Sequence, residues 1–398
     1  MSCDNVLVLA GEASGDQHAA ALVNELKGLR PNLHVWAVGG ERLEQAGTRI
    51  LVKSSELSVV GITEVFNHLR PILSAYKKIT RWLSNVRPNL LILVDFPEFN
   101  LLVARKAKAL GIPVFYYISP QIWAWRQKRV KRIKRLVDKM AVILPFEKDF
   151  YRRHGMDVEF VGHPLLDSVK TRMKRDEFFS QFDIPPSRRL VCLLPGSRAG
   201  EIKRHIELFL ETVVMLSNKV PGLWFCLPIA PGLQDTTLSL LKRKIEGFNA
   251  STGPEIYLVE GQAYEAMSAS ELIVAASGTV TLEAAILRVP MIVTYKVSPL
   301  SYQLGKKLVK VDWVSLVNLI AGREVVPEFL QDNASPEYLS ETAKDLLEDH
   351  RAREKMISGL EEVVRSLGDP GAAKRAAALA SSMLDKATGT PMDLGAKS

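Results

Sequence analysis

Short apolar runs recur along this chain, each ending at a small, polar or proline residue before a longer amphipathic stretch begins. The first series lies at 6–10, 35–38, 90–94, 114–118, 140–144 and 158–161. A second series follows at 190–194, 223–227, 256–259, 272–275 and 291–294. Strands alternating with helices predict a parallel sheet with right-handed crossovers, so the chain is of α/β class. At 398 residues it is too long for one comfortable core, and two domains are expected. Two similar halves imply a cleft, with the C-terminal edges of the strands facing it. The expected domains are 1–166 and 189–335, joined by a polar linker at 167–188 that carries Pro185-Pro186. Residues 336–386 read as helices, Ala-rich toward the end, and 387–398 as a frayed tail.

Hydrophobic residues make up 47% and charged residues 24%, which is ordinary for a soluble globular enzyme. The start of the chain lacks a basic segment followed by an apolar one, and no apolar run nears the ~20 residues a bilayer span needs. The expectation is a cytosolic protein, neither secreted nor integral to a membrane. Cys3, Cys192 and Cys226 are scattered, and the last two sit in apolar runs as reduced core thiols would. No Cys/His spacing suggests zinc. A net charge of +8 asks for an anionic partner: nucleic acid, a phosphorylated substrate or an acidic lipid surface.

The loops that end the strands carry the chemistry. Gly11-Glu12-Ala13-Ser14-Gly15-Asp16 follows the first run. Its glycines let a ligand approach, and Glu12 and Asp16 suit hydroxyl-rich or cationic groups better than pyrophosphate; a tight strand-to-helix turn explains it equally well. Pro195-Gly196-Ser197-Arg198 precedes a helix, where backbone N–H groups, the helix dipole and a guanidinium favour a diphosphate. Ser277-Gly278-Thr279 repeats the arrangement, with Glu283 placed to accept hydrogen bonds from a ribose diol. Each of these two turns also reads as a helix cap. Asp95 ends the most apolar run of the first half and is either a general base or an N-cap with Pro97 at the first helical position. His163, in Gly162-His163-Pro164, either reaches the cleft or serves a turn fixed by its proline.

A dense basic run, Arg126, Lys128, Arg129, Lys131, Arg132, Lys134 and Arg135, follows Trp123 and Trp125. It reads as a solvated helix face, or as a surface for a membrane interface or stacked RNA bases. Residues 57–83 hold more apolar side chains than a surface helix needs, with Lys77, Lys78 and Arg81 among them. Core packing or a lipid-facing groove both fit. No Asp-x-Asp occurs, so the pair that usually holds a divalent metal on a nucleotide sugar is missing.

In order along the chain, several motifs resemble those of the lipid-A-disaccharide synthase family. They are Gly11–Asp16, Gly61-Ile62-x-Glu64-Val65, Asp95-x-Pro97-x-Phe99-Asn100, Ser119-Pro120-x-x-Trp123-Ala124-Trp125-Arg126 and Leu144-Pro145-Phe146-Glu147. Gly162-His163-Pro164, Leu194–Arg198, Ser277–Thr279 and Asn318-Leu319-x-Ala321-Gly322-Arg323 complete the set. Glu98, where the family often has Asp, and Val317, where it often has Pro, are the two departures. The resemblance implies a GT-B-like fold of two Rossmann-like domains facing across a cleft, with C-terminal helices returning to the first. It implies transfer from UDP-2,3-diacylglucosamine to 2,3-diacylglucosamine 1-phosphate, giving a β-1,6-linked disaccharide 1-phosphate and UDP.

The same resemblance implies site residues. Asp95 would be the base, with Glu12 and Arg198 also catalytic. Ser197, Arg198, Gly278, Thr279, Glu283 and Asn318 would hold UDP. Trp123, Trp125, Arg126, Lys128, Arg129, Lys131 and Arg132 would meet the acceptor or the membrane. No metal, no cofactor and no nucleic acid are expected. The place of work would be the cytoplasmic face of the inner membrane, and an oligomer is compatible with the sequence. The competing readings are another GT-B UDP-sugar transferase or epimerase, a nucleic-acid-binding protein using the basic run, and an inactive membrane scaffold.

Overall fold

A computed structural model describes residues 4–57, 65–230, 232–251, 254–298 and 312–388. Residues Gly61 to Glu64 of one family motif, Cys3 and most of the expected tail lie outside the described residues. Seven strands form the first sheet: β1 (Asn5–Ala10), β2 (His34–Gly39), β3 (Arg49–Lys53), β4 (Leu90–Val94), β5 (Val114–Tyr117), β6 (Lys139–Val142) and β7 (Glu159–Phe160). Their order is β3-β2-β1-β4-β5-β6-β7, and every neighbouring pair is parallel. The second sheet holds β8 (Arg189–Leu194), β9 (Leu223–Pro228), β10 (Ile256–Val259), β11 (Leu272–Ala276), β12 (Met291–Tyr295) and β13 (Glu328–Leu330). It is also parallel throughout, in the order β10-β9-β8-β11-β12-β13. Central strands such as β4 and β11 are buried along their whole length, as a sheet covered on both faces requires.

The described residues up to Pro164, together with those from Gly368, make one compact unit, and Leu165–Leu367 make the other. The last three helices are therefore divided. Pro336–Glu348 packs on Ala199–Lys219, and His350–Ser366 packs on Val280–Ile286 and Leu316–Ala321, all in the second unit. Only Ala372–Thr388 returns to the first, where Ala376, Ala377, Ala380 and Leu384 join the core beside helix Ala13–Leu29. Small alanine side chains let the two helices approach closely. Arg30 fixes the pair, donating from Nε to the Ser381 hydroxyl at 2.9 Å and bridging to Asp4 and Asp385. Segment 167–188 belongs to the second unit, holds helix Arg175–Gln181 and buries Phe178 and Phe179.

The basic run is not one helix. It divides into Ile122–Trp125, a 3-10 turn Gln127–Arg129 and Val130–Leu136, with Arg126 leaving helical backbone at φ −127° and ψ 44°, and Val130 and Ile133 buried. In helix Val65–Val86 the buried residues Ala75, Ile79 and Leu83 face the protein, while Leu73, Lys77, Lys78 and Arg81 are exposed. No described helix is long and apolar enough to cross a membrane. Cys192 and Cys226 are buried and unbridged.

Asp16 shows how the first unit is locked. Its buried carboxylate accepts the N–H of Gly40 at 2.6 Å and of Arg42 at 2.9 Å, capping helix Glu41–Gln45 from outside. A Cβ at Gly39 or Gly40 would fall 2.8 or 2.9 Å from its oxygens, so the glycine pair makes the room this acid needs. Asp16→Ala should destabilise the first unit by about 2–4 kcal/mol, because two hydrogen bonds to a charged group are lost. Urea unfolding monitored at equilibrium checks this; an unchanged midpoint would contradict the locking role.

Candidate active site

Where strand order reverses in a doubly wound sheet, the flanking connections leave to opposite faces and open a crevice at the C-terminal edge. The first sheet reverses between β1 and β4, and the second between β8 and β11. Pairing of Ala10 with Val94 brings Gly11 and Asp95 off the first edge together. Pairing of Leu194 with Ala275 does the same for the Pro195 and Ser277 turns on the second. The expected loops thus leave each sheet at its own switch point, one set on each unit.

On the first unit, Asp95 and Phe96 both adopt left-handed backbone, with φ 45° each. The Asp95 carbonyl accepts the amide of Asn100 and the hydroxyl of Tyr116, each at 2.7 Å. Burial, followed by the Asp95 charge, pushes the Tyr116 phenol well above its ordinary pKa, so it stays a donor. The Phe96 ring lies over Gly11, where an added Cβ would fall 2.3 Å from it. Asp95 is consequently half-buried at a turn fixed from three sides, and the N-cap position of helix Pro97–Ala109 falls on Phe96. Glu12 is exposed one residue beyond Gly11 and starts helix Ala13–Leu29. Of the two acids expected to serve a ligand in this loop, Asp16 is committed to the fold.

The tryptophans part company. Trp123 is 7% exposed and packs edge-on against Phe146 at 4.9 Å, so it is a core residue rather than a membrane contact. Trp125 is 45% exposed, with the Arg126 guanidinium 3.9 Å above its ring. Arg126 and Arg129 both bridge to Glu98, at 2.8 and 2.5 Å, three residues beyond Asp95. Lys128 and Lys131 are exposed and Arg132 half-buried.

On the second unit, Gly196 has φ +123° and leads into helix Ala199–Lys219. The Glu201 carboxylate closes this turn. It accepts the N–H of Ser197 at 3.0 Å and of Arg198 at 3.3 Å, and pairs with the Arg198 guanidinium at 3.3 Å. The Arg198 side chain is 74% exposed. Ser277 donates its hydroxyl to the Val314 carbonyl, and space is open beside Gly278. Thr279 precedes helix Val280–Ile286, on which Glu283 is half-buried; burial raises its pKa, and Tyr264 donates to it at 3.4 Å.

Asn318 is a correction. It is 0% exposed, its amide donates to Val326 O and Glu328 Oε1, and its oxygen accepts the N–H of Val325 and Val326. Both hydrogens and both lone pairs are used, so it holds segment 315–328 together and has no capacity left for a donor sugar.

These observations meet a clear set of likenesses. The lipid-A-disaccharide synthetase family model matches residues 6–382. The chain is 44% identical over 381 residues to the lipid-A-disaccharide synthase of Geobacter sulfurreducens, covering 96% of this chain and 97% of that one. It is 44% identical over 380 residues to the synthase of Nitrosococcus oceani, covering 96% of each. The chain belongs to the lipid-A-disaccharide synthetase family. It is a hexosyltransferase of lipid A synthesis. Its GT-B-like fold is shared with MurG of Acinetobacter baumannii, with a TM-score of 0.59 at 14% identity over 95% of this chain and 99% of that one. It is shared as well with a UDP-GlcNAc 2-epimerase of Neisseria meningitidis, with a TM-score of 0.58 at 14% identity over 96% of this chain and all of that one.

For this family member, sequence reading quoted Asn100 and Glu147 within motifs without giving them a role, and assigned none to Tyr116 or Glu201. His163 is buried, and burial followed by the His18 charge holds it at about 4, which leaves a neutral ring at pH 7 and a poor base. Burial also holds His18 at about 4. Glu147 is 1% exposed, and burial pushes its carboxyl up from 4.5 to about 7 against the hydrogen bonds from Ser119, Leu144 and Ile143.

These groups act oppositely on stability. The folded chain keeps the Glu147 proton where the unfolded chain has lost it, so that contribution is full below pH 4.5 and vanishes as pH rises through about 7. The histidine contributions are present above pH 6.5 and are lost as pH falls through about 4. Glu147→Gln removes the first alone. Its urea midpoint should therefore rise relative to the parent protein between about pH 5 and about pH 8. A constant difference would contradict the raised carboxyl.

Proposed function

We propose that this enzyme joins UDP-2,3-diacylglucosamine to 2,3-diacylglucosamine 1-phosphate, giving the β-1,6-linked disaccharide 1-phosphate and UDP, by inverting transfer without a metal. The observation that carries the reading is the pair of switch-point turns within a chain that matches the family from residue 6 to 382. Asp95 takes the proton from the acceptor's primary hydroxyl as its oxygen bonds to the anomeric carbon. The bond from that carbon to the UDP oxygen breaks, and UDP leaves with the electron pair. Arg198 and the N–H groups of Ser197 and Arg198 meet the charge that develops, the largest expected catalytic term. Those are the groups that Glu201 now occupies, so the diphosphate takes the place of its carboxylate. Gly278 leaves room for a phosphate, Glu283 receives the ribose hydroxyls, and Glu12 orients sugar groups on the first unit.

On the acceptor side, the 1-phosphate meets Arg126 and Arg129, which Glu98 holds together in the absence of substrate. Trp125, Lys128 and Lys131 are exposed and suit an acidic headgroup layer, with Lys77, Lys78 and Arg81 as further surface cations. This supports work at the cytoplasmic face of the inner membrane. The reading requires acylated substrates, so efficient turnover of UDP-GlcNAc without acyl chains would favour another sugar-nucleotide activity.

Asp95→Asn should leave UDP binding near normal and lower turnover by about 100-fold or more, read in an assay that resolves UDP and disaccharide. Near-normal turnover would move the base elsewhere. Arg198→Ala should weaken UDP binding by about tenfold or more in calorimetry, and an unchanged affinity would remove it from the diphosphate site.

A further inference from the structure

Among the described residues only two acids are buried, Asp16 and Glu147. The first locks the fold, and the scheme above uses no atom of the second. Glu147 stands in the first turn of helix Pro145–Arg153. Its Oε2 accepts the N–H of Ile143 at 3.2 Å and of Leu144 at 3.0 Å, an ordinary closure of a helix start. Its Oε1 does something a helix start does not need. It accepts the Ser119 hydroxyl at 2.6 Å, reaching from the end of β6 to the end of β5.

The chain leaving β5 is in a conformation that it does not hold by itself. Ile118 is β-branched and has φ +64°, a left-handed backbone such residues avoid. Its N–H is held by the Ala141 carbonyl at 3.0 Å, and the next residue is Ser119. Beyond it come Pro120, Trp123 against Phe146, and Arg126 with Arg129 on Glu98. We propose that Glu147 is a positioning residue for acceptor recognition, tying the ends of β5 and β6 so that the turn 119–126 delivers Arg126 to the acceptor phosphate. The inference rests on the acceptor reading given above, and deepens it by naming what aims the turn.

Protonation does not cut the tie. The two amide hydrogens need a bare Oε2, so a proton goes on Oε1 and is donated to Ser119 Oγ. The Ser119 hydroxyl then turns to the Pro120 carbonyl, 3.3 Å away. Glutamine reproduces this neutral arrangement, its oxygen toward the two N–H groups and its amide toward Ser119.

Ser119→Ala removes one hydroxyl and leaves Glu147 its two amide partners, so it is the variant that decides. It should raise the KM for diacylglucosamine 1-phosphate by about tenfold while the donor KM and UDP affinity stay put. Glu147→Ala should do at least as much, the double variant no more than Glu147→Ala, and Glu147→Gln should stay within about threefold of the parent enzyme. Arg126→Ala, measured alongside, separates the two levels of the argument. A raised acceptor KM in Arg126→Ala with an unmoved one in Ser119→Ala overturns the positioning role and leaves the acceptor reading standing. An unmoved acceptor KM in both overturns the two together. Loss of turnover in Ser119→Ala at constant acceptor KM shows a purely structural tie and also overturns the proposal.

Discussion

Everything at the two switch points follows from one constraint, the parallel pairing of β1 with β4 and of β8 with β11. Because these strands are buried on both faces, their register is set by packing, and that register decides which residues leave the edge side by side. At the first edge the result is conformationally costly. Two consecutive non-glycine residues, Asp95 and Phe96, are left-handed, at about 1–3 kcal/mol each. The surroundings hold them there: Tyr116 and Asn100 grip the Asp95 carbonyl, and Phe96 lies on a glycine that has no Cβ to collide with it. In the role of base proposed for Asp95, so constrained a turn would leave the carboxylate little freedom to miss a reacting hydroxyl, as proton transfer in a transition state requires.

The central strands and the loops that follow them were legible because burial on both faces writes itself as an unbroken apolar run. The edges were not. β3 begins and ends with charged residues, and β13 is three residues long, so neither produces such a run. The helix starts were partly legible. Pro145 at the first position and Glu147 at the third are recognisable signals of a helix opening, but the second bond of Glu147, to Ser119, joins residues 28 apart in sequence and has no local signature.

Trp123 and Asn318 illustrate the same limit from the other side. A tryptophan beside a basic run and an asparagine within a family motif both look functional in one dimension. Their neighbours in space are Phe146 for the first, and Ser315, Val325, Val326 and Glu328 for the second, and those contacts turn both residues inward. The basic run itself was expected as one cationic helix, but Arg126 leaves helical backbone at φ −127° and ψ 44°, and the run becomes a turn and a short helix. Its charges therefore point in different directions, and only Arg126 and Arg129 converge.

That convergence has a parallel on the second unit. Glu98 sits between Arg126 and Arg129, and Glu201 sits on Arg198 and the helix start, so each cationic group assigned to a phosphate carries one of the chain's own carboxylates. All of these pairs are at least partly exposed, and such pairs contribute only about 0–1 kcal/mol. They are therefore cheap to exchange. Without an acid between them, however, two guanidiniums would repel and drift apart, and the orphan N–H groups at a helix start would turn to water. On the reading of the enzyme as a transferase between two phosphorylated lipids, the internal carboxylates keep both anion sites assembled while empty and yield to ligands of higher charge. A phosphate brings more oxygen acceptors than a carboxylate and, as a monoester, up to about two negative charges, which favours its taking over the guanidiniums.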